Sequence, residues 1–385
     1  MLISVVVPAF NSGKFIFGCL ESISKIDYPK LEVIVVNDGS TDNTKEEIVR
    51  FSKEYHKSIY KFLVLHNDKN EGISYSKNIG LSKITGQYYF IAGSDDIQLT
   101  DRISVPLRYM ISNPSVDIVY FDCQIIAEND SVISEKRGFP KGMDNKNSIL
   151  HQMMRNHFWS GMFLAKSTVN VLFDINLSSA VDYDWYFKLY FTNHIIHFID
   201  DRLIKYRTHR TNISNNYIIS SSNVRVLLEK YDFNKLLKTF EAENNDLLLI
   251  TAFAWYKITV EDYSGVIEIA LEVDSNSRNY ELNFVLAVSY FKIGDFKKSL
   301  KIFEELYTKH PNDCCVINNL AVCLFTLNKN SLMTSQLFAT ALKLNPRYSD
   351  ARFNLNKPSS NPEVSYKVTV KPLRTSLIHS EHYKL

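Results

Sequence analysis

The spacing of apolar residues divides the chain into parts. In the first part, short unbroken apolar runs alternate with stretches of helical spacing. "ISVVVPAF" reads as a strand broken by Pro8. "NSGKFIFGCLESISK" then puts Phe15, Cys19, Leu20 and Ile23 on one helical face, with Asn11 and Ser12 as candidate N-caps. "LEVIVVND", "YKFLVLHN" and "QYYFIAGS" predict three more strands, and "GSTDNTKEEIVRFSKEY" and "GISYSKNIGLSKIT" the helices between them. Strands that are apolar throughout, separated by amphipathic helices, predict a mainly parallel sheet covered on both faces.

From about Val116 to Asn215 the pattern is mixed. "VDIVYFDCQII" predicts a strand, "ENDSVISEKRGFPKGMDNKNS" a long polar loop, "VDYDWYFKLYFT" a helix and "IIHFIDDRLIKYR" one or two strands. Beyond about Ser220 only helical spacing remains. "YELNFVLAVSYFKIGDFKKSLKIFEELYTKHPND" pairs two amphipathic helices around Gly294-Asp295. "CCVINNLAVCLFTLNKNSLMTSQLFATALKLNPRY" repeats the pattern: Leu320-Ala321 answers Leu286-Ala287, Phe338 answers Phe303 and Pro346 answers Pro311. A more degenerate copy runs through "AFAWYKITVEDYSGVIEIALEVD". This period resembles tetratricopeptide repeats of about 34 residues, which stack helix pairs around a concave groove. From Lys357 onward there is no periodicity, which predicts a disordered tail or an extended docking arm.

Composition narrows the classes of function. The formal net charge of +2 on 385 residues comes with no basic run, which gives no reason to expect nucleic-acid binding. Five cysteines (Cys19, Cys123, Cys314, Cys315, Cys323) without CxxC spacing read as thiols in a reducing compartment. No apolar run reaches the roughly 18–20 residues of a membrane span, and "MLISVVVPAFN" lacks the form of a signal peptide. The expected location is cytoplasmic, with peripheral membrane attachment open.

In a parallel α/β sheet, ligands sit beyond the carboxyl ends of the strands. Those ends here are Ala9-Phe10-Asn11, Asn37-Asp38-Gly39-Ser40 and Gly93-Ser94-Asp95-Asp96. Two adjacent carboxylates repel each other, and a divalent cation shared with substrate phosphates would relieve them. Helix capping by Asp95 or Asp96 is the plainer alternative.

Five segments, "VVVPAFNSGKFIFGCLESI", "LEVIVVNDGSTDNT", "NEGISYSKNIGLSKITGQYYFIAGSDD", "AVDYDWYFKLY" and "YRTHRTNIS", stand in the order found in family 2 glycosyltransferases. To about Asn215 the chain resembles the GT-A domain of that family, a nucleotide-sugar-binding α/β domain with a mainly parallel mixed sheet. The organisation implied is 1–215 for this domain, 216–245 for a helical linker, 246–356 for the all-α tetratricopeptide-like repeats and 357–385 for the tail.

The resemblance also implies roles. Pro8, Ala9 and Phe10 match the segment bordering the nucleobase. Asp38 matches the second acid of the DDGS motif, which accepts a hydrogen bond from the base, while Asn37 replaces the first. Asn70 and Lys77 match polar positions near the nucleotide. Ser94-Asp95 matches the end of the D-x-D motif, so Asp95 is the expected principal metal ligand; Gly93 replaces the first Asp, whose contact would fall to backbone or to Asp96. Arg207 and His209 match an R-x-H element near the diphosphate, His209 being able to complete a site for Mn²⁺ or Mg²⁺. Asp182 takes the place of the catalytic Asp of the ED motif, with Val181 where Glu usually stands, and N-capping is its structural alternative. Asp184 is the nearest competitor as base. Trp159 and Gly161 fall on the donor-sugar and acceptor side.

The activity implied is inverting transfer of a sugar from a nucleotide-sugar donor, most often UDP-linked, to a hydroxyl on a protein or glycan. The repeats would hold the acceptor or a partner enzyme, or mediate self-association. Two other readings remain: a nucleotidyltransferase, disfavoured because "PAFNSGKF" has one Gly and one Lys, and a catalytically silent scaffold, suggested by the drift at Asn37, Gly93 and Val181.

Overall fold

β1 (Ile3–Ala9) and β2 (Leu31–Asp38) are buried at every position, as their apolar sequences require. The computed structural model describes residues 1–55, 59–135, 139–140, 143–159, 161–209, 225–228, 230–231, 233, 247–328, 331–346, 348–357 and 365–371. The chain divides into two units, Met1–Leu227 and Leu228–Leu385. The expected linker at 216–245 lies largely outside the described residues.

In the first unit β3 (Lys61–Asn67), β2, β1 and β4 (Tyr88–Ile91) are parallel in that spatial order. The sheet continues through β8 (Phe163–Lys166), antiparallel to β4, then β6 (Ile118–Ala127) and β9 (Ile196–Thr208), which run parallel to each other. β5 (Ile97–Gln98) closes the edge beside β9, and β7 (Val132–Ser134) pairs with β6 inside the segment expected to be a polar loop. The connecting helices are α1 (Ile16–Ser24), α2 (Thr44–Tyr55), α3 (Ile73–Leu81), α4 (Ser104–Ser112), α5 (Ser148–Met154) and α6 (Val181–Phe191). This mixed sheet is a GT-A-like domain.

Register brings the strand ends to one edge. Ala9 lies opposite Asn37, Asp38 opposite Asn67, and Ile91 opposite Val6. The Ala92 amide bonds Val6 O, so the next residues carry Ser94 and Asp95 up to the level where β1 ends. With strands about 4.8 Å apart, the ends of β2 and β4 lie on either side of β1, two spacings or about 10 Å apart.

α3 packs closely on this edge because Gly80 has no side chain: a Cβ there would stand 2.3 Å from Val6 Cγ1. At the opposite end of the strands, the buried Glu32 accepts from Ser4 Oγ (2.6 Å), the Thr85 amide (2.8 Å), Thr85 Oγ1 (2.8 Å) and Lys61.

One local expectation fails. Asn11 and Ser12 do not cap α1, which begins at Ile16 after a turn in which Ser12 O accepts the Phe15 and Ile16 amides. Asn11 sits instead at φ 46°, with its Oδ1 accepting from the Thr41 amide at 2.9 Å.

The second unit is helical among its described residues: α7 (Leu247–Thr259), α8 (Tyr263–Leu271), α9 (Tyr280–Lys292), α10 (Phe296–Lys309), α11 (Cys314–Asn328), α12 (Ser331–Leu344) and α13 (Ser349–Asn356). Each packs on the next. The matched positions are buried alike: Leu286 with Leu320, Ala287 with Ala321, Phe303 with Phe338. Asp262 and Asp295 cap α8 and α10 through the amides of Gly265 and Lys298, a repeated device. Within the tail, residues 365–371 are an extended stretch held against α11 and α13.

Candidate active site

The adjacent acids are separated by environment. Asp96 turns inward and is 3% exposed; its Oδ1 accepts the Arg207 backbone N–H at 3.0 Å. Burial, and secondarily the charge of Asp95, push its carboxyl well above the ordinary range, which favours the neutral acid. Asp95 turns outward, with Oδ2 2.9 Å from His209 Nε2. The Phe15 ring lies 5.0 Å from the His209 ring and 5.1 Å from the Arg207 guanidinium.

Arg207 ties these pieces together. Its Nε donates to Asp95 O at 2.8 Å, and its guanidinium reaches Asp130 Oδ1 at 2.7 Å and Glu128 O at 3.2 Å. Gly93 is explained by the same geometry, because a Cβ there would stand 2.6 Å from Asp96 Oδ2 and 3.0 Å from Asp95 Oδ1. The inward turn of Asp96 thus leaves no room for the side chain whose absence the sequence registers as drift.

A second cluster surrounds α3. Asp38, 3% exposed, accepts the Asn67 amide group at 2.7 Å, the Glu71 N–H at 2.9 Å and the Gly72 N–H at 2.9 Å. It therefore fixes the loop entering α3 and places a negative charge at that helix's N-terminus, where the helix dipole favours one. Asn70 Oδ1 also accepts the Gly72 N–H. Lys77, on the buried side of α3, donates to Asp182 Oδ1 at 2.7 Å and stands 4.5 Å over the Phe173 ring.

Asp182 lies in the first turn of α6 and is not its cap; Ala180 holds that position with a left-handed φ of 58°. Asp184 is fully buried and paired with Lys188 at 2.8 Å, so it faces away from the cluster that holds Asp182. α3 thereby links two of the expected acids: Asp38 fastens its start, and Lys77, five residues after Gly72 and about 7.5 Å along the axis, holds Asp182.

The remaining expected residues lie around the same strand ends. Pro8 and Ala9 are buried in β1, while Phe10 is 43% exposed just beyond it. Ser94 Oγ shares a 2.7 Å hydrogen bond with Ser12 Oγ. A Cβ on Gly161 would stand 3.5 Å from Asp96 Oδ2, and the Trp159 ring lies 4.2 Å from that of Tyr206. Sequence reasoning missed the site positions of Ser12, Phe15, Cys19 and Phe173. Cys19 Sγ reaches Gly93 O at 3.1 Å, and burial and then the charges of Asp96 and Asp95 push its thiol well up. Nothing in its helical spacing distinguishes it from an ordinary core cysteine.

A divalent cation would find an oxygen and a nitrogen donor side by side, Asp95 Oδ2 and His209 Nε2, a donor set suited to sharing the ion with substrate oxygens. Elsewhere among the described residues, Asp313, Cys314 and Cys315 gather three metal-binding atoms, but Asp313 Oδ1 accepts the Cys315 and Val316 amides at 2.8 and 3.1 Å, as a helix cap does.

The mixed α/β sheet, with its polar residues gathered at the parallel strand ends, is GT-A-like. Residues 4–168 match the family described as Glycosyl transferase family 2. The chain is similar to Glycosyltransferase GlyG of Streptococcus pneumoniae serotype 4, with 38% identity over 118 residues, or 31% of this chain and 38% of that protein. The chain thus spans well under two thirds of that relative's length. An uncharacterized glycosyltransferase of Haemophilus influenzae is 24% identical over 327 residues, 80% of this chain and 97% of the relative. Among solved structures, S. aureus TarS 1-349 in complex with UDP-GlcNAc shares the fold at a TM-score of 0.50 and 17% identity, over 91% of this chain and 93% of that one.

Proposed function

We propose that the chain is an inverting glycosyltransferase that moves a hexosyl or N-acetylhexosaminyl group from a UDP-linked donor to an acceptor hydroxyl on a protein or glycan. The observation that carries the reading is the Asp95–His209 pair beside the ends of β1, β2 and β4, with Asp95 within the residues that match family 2. TarS, with the same fold, is described in complex with UDP-GlcNAc, which supports the donor class.

Asp95 and His209 would hold Mn²⁺ or Mg²⁺, which supplies positive charge to the departing diphosphate. Asp96, drawn inward to the Arg207 amide, is better suited to fixing the Asp95 loop than to metal ligation. Phe10, exposed at the end of β1, suits the face of a base, and Asp38 and Asn70 shape the loop beside it. Asp182 acts as general base: it accepts the acceptor's proton while the hydroxyl oxygen attacks the anomeric carbon and the bond to the diphosphate breaks on the opposite face. Lys77 orients Asp182 and presents a positive charge beside α3.

The helical unit, read as tetratricopeptide-like repeats, would hold the acceptor, a partner enzyme or a second copy. The burial of all five cysteines agrees with a reducing, cytoplasmic setting, with peripheral membrane attachment compatible. No helix among the described residues is long and apolar enough to cross a membrane. The silent-scaffold alternative is not favoured, because the base and metal positions carry the residue types the chemistry needs.

A donor screen tests the reading. Release of nucleoside diphosphate from one of a panel of UDP-, GDP- and TDP-sugars with Mn²⁺ is expected, UDP-linked donors being preferred. No turnover with any donor, together with no thermal shift on adding UDP, would leave the scaffold.

A further inference from the structure

The helical unit holds residues 365–371 through their main chain. Asn354 Oδ1 accepts the Lys367 N–H at 2.7 Å, and its Nδ2 donates to Lys367 O at 2.8 Å. Asn319 does the same for Thr369, both bonds being 2.8 Å. Asn318 Nδ2 adds a bond to Lys367 O at 3.1 Å, and its Oδ1 accepts from Asn354 at 2.9 Å. Two carboxamides thus each clamp both polar groups of one residue, on residues two apart, the repeat of an extended strand.

The side chains follow the same alternation. Tyr366 and Val368 pack on Ala321, Val322 and Phe338. Thr369 is buried, with its hydroxyl donating to Asp350 Oδ2 at 2.7 Å. Lys367 stands 4.3 Å over the Phe353 ring.

Asn318, Asn319 and Asn354 are each no more than 2% exposed. Buried carboxamides are costly without partners, and here the main chain of Lys367 and Thr369 supplies them. Every polypeptide offers the same main-chain groups, so this recognition is not tied to one sequence, as in strand addition to a sheet edge.

We propose that α11 and α13 form a backbone-reading groove for an extended segment of a partner protein, and that residues 365–371 occupy it as an intramolecular ligand that the partner displaces. The partner segment has an aromatic residue, then a β-branched residue two positions on, followed by Thr or Ser. The tethered segment competes at an effective concentration on the order of millimolar, which keeps the groove filled until such a partner arrives. The inference concerns binding alone and stands whether or not the first unit transfers sugar.

The test uses the full chain and a fluorescent peptide of the sequence SYKVTVK. The double variant Tyr366→Ser, Val368→Asp, which releases the tethered segment, is expected to bind the peptide at least ~10-fold more tightly than the wild type. A peptide N-methylated at its threonine is expected to lose that binding. No binding to the folded variant, or equal binding of the methylated peptide, overturns the proposal.

Hydrogen exchange on the wild type guards against a variant that fails to fold. The Lys367 and Thr369 amides should exchange faster than the core of α11 and faster still with excess peptide. Exchange of these amides only at the rate of the α11 core would make the segment a fixed part of the fold and refute displacement. If wild-type chains instead pair by exchanging tails, with the pairing lost in the variant, the occupant is a second copy and the assignment to a partner protein falls.

Discussion

Asp95 and Asp96 are neighbours in sequence with opposite chemistry. The buried one is driven toward its neutral form beside a backbone N–H, while the outward one keeps company with an imidazole. Removing the outward pair should therefore act on metal and diphosphate rather than on the fold. Asp95→Ala and His209→Ala should each weaken Mn²⁺-dependent UDP binding about 10-fold or more, the scale of a lost charge-assisted contact, with little change in melting temperature. Titration calorimetry with and without chelator checks this; an unchanged chelator response would count against the metal assignment. Restoring the usual acid at Gly93 should be harmful, since its Cβ would collide with Asp96. Gly93→Asp is expected to lower thermal stability by about 1–3 kcal/mol and to lose UDP binding, read by thermal unfolding with and without UDP.

At the scale of elements, α3 is the part that joins chemistry to fold. Its start is fastened by Asp38, its middle holds Asp182 through Lys77, and Gly80 lets it lie on Val6. Gly80→Ala should push it off β1, costing about 1–3 kcal/mol by overpacking and lowering transfer as Asp182 loses its support; denaturant melts and initial rates check both. At the far end of the strands, burial raises the Glu32 carboxyl, but bonds from Lys61, Ser4 and Thr85 outweigh it and hold the carboxyl below the ordinary range. A depressed folded value means stabilisation present above the unfolded value and lost as pH falls through the folded one. Wild-type melting temperature should drop on acidification below the ordinary carboxylate range, and Glu32→Gln, less stable at neutral pH by about 1–3 kcal/mol, should drop less.

The apolar runs of β1, β2 and β4 were legible because burial on both faces leaves no alternation. β5 and β8, two and four residues long, were not, because their place depends on partners distant in sequence. The Asn11 cap was misread for a similar reason: its carboxamide bonds Thr41, across the sheet edge.

Across the whole molecule, each unit separates what motifs can reveal from what only packing decides. The acids of the first unit were legible as types and positions, while the Lys77–Asp182 pair, spanning 105 residues of sequence, required the fold. In the second unit, helix pairing followed from a repeated pattern, but nothing in "YKVTV" announced that its backbone would meet buried asparagines. The central claim is that Asp182 removes the acceptor's proton at a site that binds the nucleotide by other groups. It is tested most directly by comparing transfer rate and UDP affinity in Asp182→Asn and wild type. The expected result is a rate lower by about 10²–10⁴-fold with UDP affinity within about twofold. A variant that transfers at the wild-type rate, or whose UDP affinity collapses with its activity, would contradict it.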